Sequence, residues 1–442
     1  MFLTTVDFVN RYFPLRSKGR SRRLLLVIAE RWRRRTLFIA GGIVVGLCAA
    51  SLAKLSDVAQ AQFFRLLDKH HWLPWILTPL GFVVSSFATR AWFRNAQGSG
   101  IPQAIAAHRS ADTSLRDSLV SMRVAVGKVL LTVLGLLCGA SVGREGPTVQ
   151  IGASVMYAAG KWTPRKQPGL IVAGAAAGVA AAFNAPLAGI LFAIEELTRS
   201  FERHTSGLII SAVIAAGFTA IAFLGDYTYF GTTSGSIAAR EWFAVVACGI
   251  LGGCAGGVFS RLVIAASGSV WCRIIRAQDS VRHYAFVSLC GVAVAACGRI
   301  ADGAVFGTGY LQVSTALHGG APLSGGFALE KLLATLFSTV SGIPGGIFSP
   351  SLAVGAGLGA NVAQYFSSES ASVIMLLGMV AYLSGVVQAP MTSFVIVMEM
   401  SNDHSVLIPL MAAALIAYGC SRVICPEGIY HALAKQYGTS GH

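Results

Sequence analysis

The chain has 442 residues, of which 54% are hydrophobic and only 12% charged, where an ordinary soluble domain carries about 25% charged residues. Together with a mean hydropathy of +0.65, this excludes a string of soluble domains and makes lipid the expected solvent. The net charge of +15 then bears on orientation in a membrane and implies no nucleic-acid partner, while the 50 glycines favour close helix packing and interrupted helices.

In chain order, the first 35 residues carry ten Lys or Arg and two acids. The densest part, 21–35, is expected to be a cytoplasmic, partly amphipathic helix, so that 1–35 forms a basic N-terminal unit. No secretory cleavage site follows it. Runs without Asp, Glu, Lys or Arg then occupy 36–53, 72–89, 167–194, 206–225, 242–260, 332–368 and 371–398. A span needs about 20 apolar residues, so these read mostly as membrane helices. The run 332–368 contains Pro344, Pro350 and many glycines, and is expected to form two or more shorter helices joined within the bilayer, facing protein or a watery cavity. Continuous apolar runs that do not alternate argue against a β-barrel. The nine cysteines and nine histidines show no C-x-x-C pair and no metal-ligand spacing, so neither disulfide, metal site nor cofactor is expected.

Self-comparison finds a repeat. Gly143-x3-Pro147-x4-Gly152-Ala153 recurs as Gly346-x3-Pro350-x4-Gly355-Ala356, at an offset of 203. Ala185-Pro186 followed by Glu195 recurs as Ala389-Pro390 followed by Glu399, at an offset of 204. A third match pairs Gly98-Ser99-Gly100 with Gly307-Thr308-Gly309 and requires a short insertion. These matches divide the chain into an expected first repeat at 36–230, a second at 231–426 and a C-terminal helix and tail at 427–442. If the repeats are inverted, each aims the amino end of a Gly/Pro-broken helix at a shared site near the midplane. Such an end carries about half a positive charge and free N–H groups, so convergent ends bind anions. Pro147 and Pro350 suit a first turn, where a missing N–H costs nothing. The 15 or so residues from Gly146 to Gly160 are too few to cross alone.

Acids inside a membrane cost about 2.5–3.5 kcal/mol on insertion scales and are functional by default. Glu145, Glu195, Glu196 and Glu399 stand at the edges of apolar runs. Glu145 opens a helix whose dipole attracts both its carboxylate and an anion, so the two compete for one place and protonation vacates it. Glu195 and Glu196 point about 100° apart on a helix and cannot share a role. Glu399 reads as a buried structural acid with a backbone or Arg partner.

GSGIP at 98–102, GREGP at 143–147 and GGIFSP at 345–350, with FNAPLAGILFAIEE at 183–196 and QAPMTSFVIVMEM at 388–400, resemble the signature segments of the CLC family of chloride channels and chloride/proton exchangers over nearly the whole chain. The resemblance implies an all-α polytopic membrane protein, a CLC-type inverted repeat of tilted, broken helices, in a homodimer with one pathway per subunit. It implies that the Ser99 hydroxyl and the Tyr430 hydroxyl meet a central chloride, that Gly146, Ile347 and Phe348 offer backbone donors to chloride, that Glu145 is the gating glutamate and that Glu196 is the proton glutamate of the cytoplasmic side. Ser349 stands where many members have Ala, and is expected to leave the backbone donors undisturbed. An acid at Glu196 favours exchange over passive conduction, and Ser99 favours chloride over nitrate or fluoride. With 12 residues beyond Tyr430, no CBS domain and no nucleotide regulation through one is expected.

The expected function is therefore a proton-coupled chloride antiporter in the inner membrane, multi-pass, with the N-terminus cytoplasmic, chloride and protons as its transported ions and lipid as its surroundings. The alternative on the same fold is a passive voltage-driven chloride channel. A lipid-modifying enzyme is suggested only by the G-x-S-x-G match at 139–143, which needs a strand-to-helix elbow where the sequence reads as helical.

Overall fold

The computed structural model describes residues 20–162, 168–198, 206–225, 230, 241–268, 280–366, 370–403 and 405–438. The first 19 residues of the basic segment, Cys272 and the residues flanking 230, where the repeat boundary is expected, lie outside these.

In lipid every backbone N–H and C=O must be satisfied within its own segment, and the described apolar runs accordingly fold as helices. The first half contains α1 (Arg20–Lys69), α2 (Pro74–Ala91), α3 (Ile101–Arg109), α4 (Thr113–Leu119), α5 (Met122–Leu137), α6 (Glu145–Ala159), α7 (Pro168–Phe183), α8 (Pro186–Phe192) and α9 (Ser206–Leu224). The second contains α10 (Trp242–Gly268), α11 (Ser280–Ile300), α12 (Tyr310–Leu317), α13 (Phe327–Val340), α14 (Phe348–Ala363), α15 (Ala371–Val387), α16 (Pro390–Ser401) and α17 (Leu407–Ile424), and α18 (Ile429–Gly438) follows. Among the described residues, six helical segments are long and apolar enough to cross a membrane, within α1, α4–α5, α9, α10, α11 and α17. Large apolar side chains such as Phe218, Phe243, Leu289 and Val423 are exposed on them, as a lipid-facing surface requires.

Three boundaries differ in detail from the sequence expectation. The helix expected over 21–35 continues without a break into the first span, making α1 a single 50-residue helix. The run 332–368 is divided as expected, with residues 341–347 separating α13 from α14. The runs 167–194 and 371–398 are also divided. Asn184 and Gln388 adopt left-handed backbone at φ 53° and 60°, and each is followed by Ala-Pro, whose ring cannot continue the preceding helix.

Apart from the short α4, the described helices of the two halves match in order and meet with opposite chain directions. Gly143 and Gly346 form an isolated antiparallel bridge, each N–H donating to the other's carbonyl at 2.7 Å. Equivalent residues of a repeat that exchange both hydrogen bonds lie on either side of a local two-fold axis, the relation an inverted repeat has when that axis lies in the membrane plane. Other pairs obey the same relation. A Cβ on Gly152 would lie 2.1 Å from the Gly174 carbonyl oxygen, and one on Gly355 would lie 2.5 Å from that of Gly378. Glycine at these positions lets α6 cross α7, and α14 cross α15, at backbone contact. Glu195 of the first half accepts from the backbone N–H groups of Met391 (3.1 Å) and Thr392 (2.7 Å) at the start of α16. Glu399 of the second accepts from those of Leu187 (3.1 Å) and Ala188 (2.7 Å) at the start of α8. Each half therefore caps a helix of the other.

Candidate anion and proton site

The glycines of the two central loops decide what meets at the middle. Helix α6 starts at Glu145 after Arg144, and α14 starts at Phe348 after Ile347, so Pro147 and Pro350 do fall in first turns. A Cβ on Gly346 would come within 2.8 Å of the Gly146 nitrogen, which brings the two amino ends face to face. Their aligned dipoles and first-turn N–H groups make the junction electropositive.

Glu145 is fully buried at this junction. Its Oε1 accepts a hydrogen bond from the Ser349 hydroxyl at 2.5 Å, so a carboxylate on the first half's helix lies against the opening turn of the second half's. The sequence reading concerned only the backbone donors around Ser349; its hydroxyl touches the acid directly. Arg144 turns away to Asp57 Oδ1 at 2.6 Å and the Ala53 carbonyl at 2.9 Å, which ties the loop before Glu145 to α1.

Ser99 sits between Gly98 (φ 61°) and Gly100 (φ 97°), and this left-handed turn, accessible to glycine without strain, carries it back against Gly146. A Cβ on Gly146 would lie 2.4 Å from the Ser99 hydroxyl oxygen. Ser99, Ile347 and Tyr430 line one cavity of ≈ 630 Å³ that also contains Arg90 and Arg94, two cations able to concentrate anions at its mouth. Tyr430 is fully buried and stacks on Phe348 with ring centroids 6.0 Å apart; Phe183 and Phe192 meet Phe348 edge-on. The Tyr430 and Ser99 hydroxyls lie close enough to interact with each other, and the carboxyl groups of Glu196 and Glu145 act on Tyr430 from a distance. Both hydroxyl oxygens are buried and neither has a hydrogen bond of good geometry among the described residues, so both can turn toward a ligand.

Glu196 does not join this cavity. Helix α8 widens at its end into a π-helical turn, Ala193–Thr198, a local feature found often at functional positions. Glu195 leaves this turn toward α16, while Glu196, 2% exposed, turns toward α18, where its Oε1 is 3.5 Å from His431 Nε2. The adjacent acids face separate partners, and Glu399 has backbone partners on α8.

Two buried lysines escaped the sequence reading. Lys128 Nζ donates to the carbonyls of Gln97 (3.3 Å) and Gly98 (2.9 Å), and Lys331 Nζ to those of Val305 and Gly307 (both 2.8 Å). They hold the two Gly-x-Gly turns, and Gly307 and Gly309 are left-handed like their counterparts, which bears out the third repeat match. The signal was present, since the lysines stand 203 residues apart. Ser141 of the G-x-S-x-G match is fully buried. It pairs with the Thr335 hydroxyl at 3.0 Å and, through its N–H, with that of Ser338 at 3.1 Å, an environment without the base a nucleophile needs.

Comparison with known proteins agrees with this geometry. A family model described as voltage gated chloride channel matches residues 80–422. The H(+)/Cl(-) exchange transporter ClcA of Cronobacter sakazakii is 30% identical over 433 residues, covering 89% of both chains; that of Salmonella paratyphi A is 30% identical over 481, covering 98% of this chain and 96% of the relative. Among solved structures, a slow cyanobacterial Cl-/H+ antiporter shares the fold with a TM-score of 0.79 at 24% identity, over 93% of this chain and 99% of that one. A CLC-type fluoride/proton antiporter does so with a TM-score of 0.75 at 23% identity, over 91% and 98%. On the family match across most of its length, and on the inverted repeat that brings two helix starts together around Glu145, the chain belongs to the voltage gated chloride channel (CLC) family.

Proposed function

We propose that this protein is a proton-coupled chloride antiporter of the inner membrane, with its basic N-terminus in the cytoplasm, acting as a homodimer with one pathway per subunit. The observation that carries the reading is Glu145, a buried carboxylate held at the amino end of α14 by the Ser349 hydroxyl. An ionised Glu145 occupies the place of an anion, because the same dipoles and donors attract both. Protonation removes its charge, frees it from the helix ends and lets chloride advance. Chloride approaches through the cavity of Arg90 and Arg94 and is met by the hydroxyls of Ser99 and Tyr430 and by the backbone N–H groups of Gly146, Ile347 and Phe348. Glu196 exchanges protons with Glu145 past Tyr430, from a position outside the anion cavity. No covalent chemistry is involved, and the protein is not an enzyme.

The test is a simultaneous measurement of both ions in liposomes containing the purified protein. An imposed chloride gradient should drive protons against their own gradient. Glu145→Gln should abolish proton movement, and Glu196→Gln should abolish it while sparing chloride flux. Chloride flux without proton movement in the unaltered protein overturns the reading in favour of a passive channel. Fluoride is the competing anion, given the fluoride/proton antiporter among the structural relatives. Ser99 supports chloride, and gradients of either halide in the same vesicles decide between them.

A further inference from the structure

We propose that His431 is the proton partner of Glu196: imidazole and carboxylate share one proton on the cytoplasmic side of the route and pass it between them. The inference rests on the reading of Glu196 as proton carrier and adds the group that loads it. His431 is 2% exposed, as is Glu196, and its Nε2 lies 3.5 Å from Glu196 Oε1. The two residues are 235 apart in sequence and come from unrelated elements, the π-helical turn after α8 and the first turn of α18. Two titratable groups buried face to face titrate as a unit. With one proton the pair is a neutral imidazole beside a carboxylic acid, or an imidazolium beside a carboxylate, and both arrangements are neutral overall. A second proton or the loss of the first leaves an uncompensated buried charge. In the transfer step the imidazolium Nε2–H bond breaks and an O–H bond forms on Glu196 Oε1, leaving a neutral ring that keeps its proton on Nδ1.

The position of α18 supports this use. Ile429, Tyr430, Leu433, Gln436 and Tyr437 of this helix line the anion cavity, whereas His431 and Glu196 do not, so the pair is set apart from the chloride route. The other ionisable groups on its own helix are Tyr430, Lys435 and Tyr437, Lys435 being paired with Glu427 at 2.6 Å. Packed against α18 are α3, with His108 and Arg109, α10, with Arg261, and α15, with Tyr382; Glu195 adjoins Glu196 and is engaged by α16.

The experiment compares unaltered protein, His431→Gln and Glu196→Gln in liposomes, reading chloride and proton fluxes together at several values of pH on the cytoplasmic side. His431→Gln should keep chloride flux, lower coupled proton flux about tenfold and flatten its pH dependence around neutrality, where an imidazole exchanges protons (about 6.5 in water). A mere packing role would not move the pH profile. Proton flux and profile identical to the unaltered protein would overturn the inference while leaving Glu196 as carrier. Absence of coupling in the unaltered protein, or coupling that survives Glu196→Gln, overturns the underlying reading and this one with it. Should His431→Gln lose chloride flux as well, infrared difference spectra of the unaltered protein decide the matter. A carboxyl band that is absent in Glu196→Gln and titrates together with an imidazole band supports the shared proton, and two independent steps refute it.

Discussion

Ser349 donates its hydroxyl hydrogen to Glu145 at 2.5 Å, across a sequence separation of 204 residues, one more than the offset that relates the two helix starts. The bond joins the opening turns of two equivalent helices through a buried carboxyl group, and a hydrogen bond of this kind contributes about 0.5–1.5 kcal/mol. Ser349→Ala should loosen Glu145 from the opening turn of α14 and, on the proposed reading of Glu145 as the group that stands in the anion's place, raise chloride flux about two- to tenfold at one fixed pH. Flux measured beside the unaltered protein checks this; an unchanged or lowered flux refutes it.

Gly146 offers a steric test of the central donors. An added methyl group would lie 2.4 Å from the Ser99 hydroxyl oxygen and 2.9 Å from its carbonyl oxygen, so Gly146→Ala must push the Ser99 turn aside. The helix itself tolerates alanine better than glycine, and the fold should survive. Chloride affinity by titration calorimetry should fall about tenfold or more, a loss of about 1.4 kcal/mol, with little change in thermal stability. Undiminished affinity would show that Ser99 does not hold the anion.

The buried lysines separate a repeat's structural role from its functional one. Both hold backbone carbonyls in Gly-x-Gly turns, but only the turn held by Lys128 carries Ser99. Replacing either with Met leaves buried carbonyls without a donor, at about 1–3 kcal/mol for each group. Lys128→Met should lower both thermal stability and chloride affinity, because it removes the donor that holds the Gly98 carbonyl of the Ser99 turn. Lys331→Met should lower stability alone. Equal losses of affinity in the two variants would contradict this division.

How far the sequence reaches can be judged on these same residues. Gly143, Pro147, Gly346 and Pro350 were legible because Gly and Pro interrupting an apolar run have few explanations in a membrane, and because they recur at one offset. Glu145 was legible as an acid where acids are expensive. Lys128 had the opposite effect: its charge hid α5 from a search for uncharged runs, although Lys331 at the same offset could have exposed both. The inversion of the repeat was legible through the family resemblance alone, and the contact of Ser349 with Glu145 and that of His431 with Glu196 were not legible. Each depends on which segments cross in space, and a lone histidine carries no spacing to give it away. That Glu195 and Glu196 face different partners was legible as a geometric necessity. Which acid meets which partner depends on the π-helical turn, for which the sequence offers no marker.

That adjacent pair supplies the sharpest contrast available to mutation. Glu195 accepts two backbone N–H groups and the Thr392 hydroxyl, the latter at 2.7 Å, and so satisfies donors that α16 cannot pair within itself. Its negative charge also opposes the helix dipole at that end. Glu195→Gln keeps the size but loses the charge and one acceptor, and should cost about 1–3 kcal/mol of stability, seen as a lower melting temperature in detergent, while the ratio of proton to chloride flux is unchanged. Glu399→Gln should behave alike, because it performs the same service for α8 from the other half. Glu196→Gln should do the reverse, losing proton flux with little change in melting temperature. A loss of coupling in Glu195→Gln at full stability would assign the proton to the wrong member of the pair, and the caps would then be incidental to a route that runs along α16.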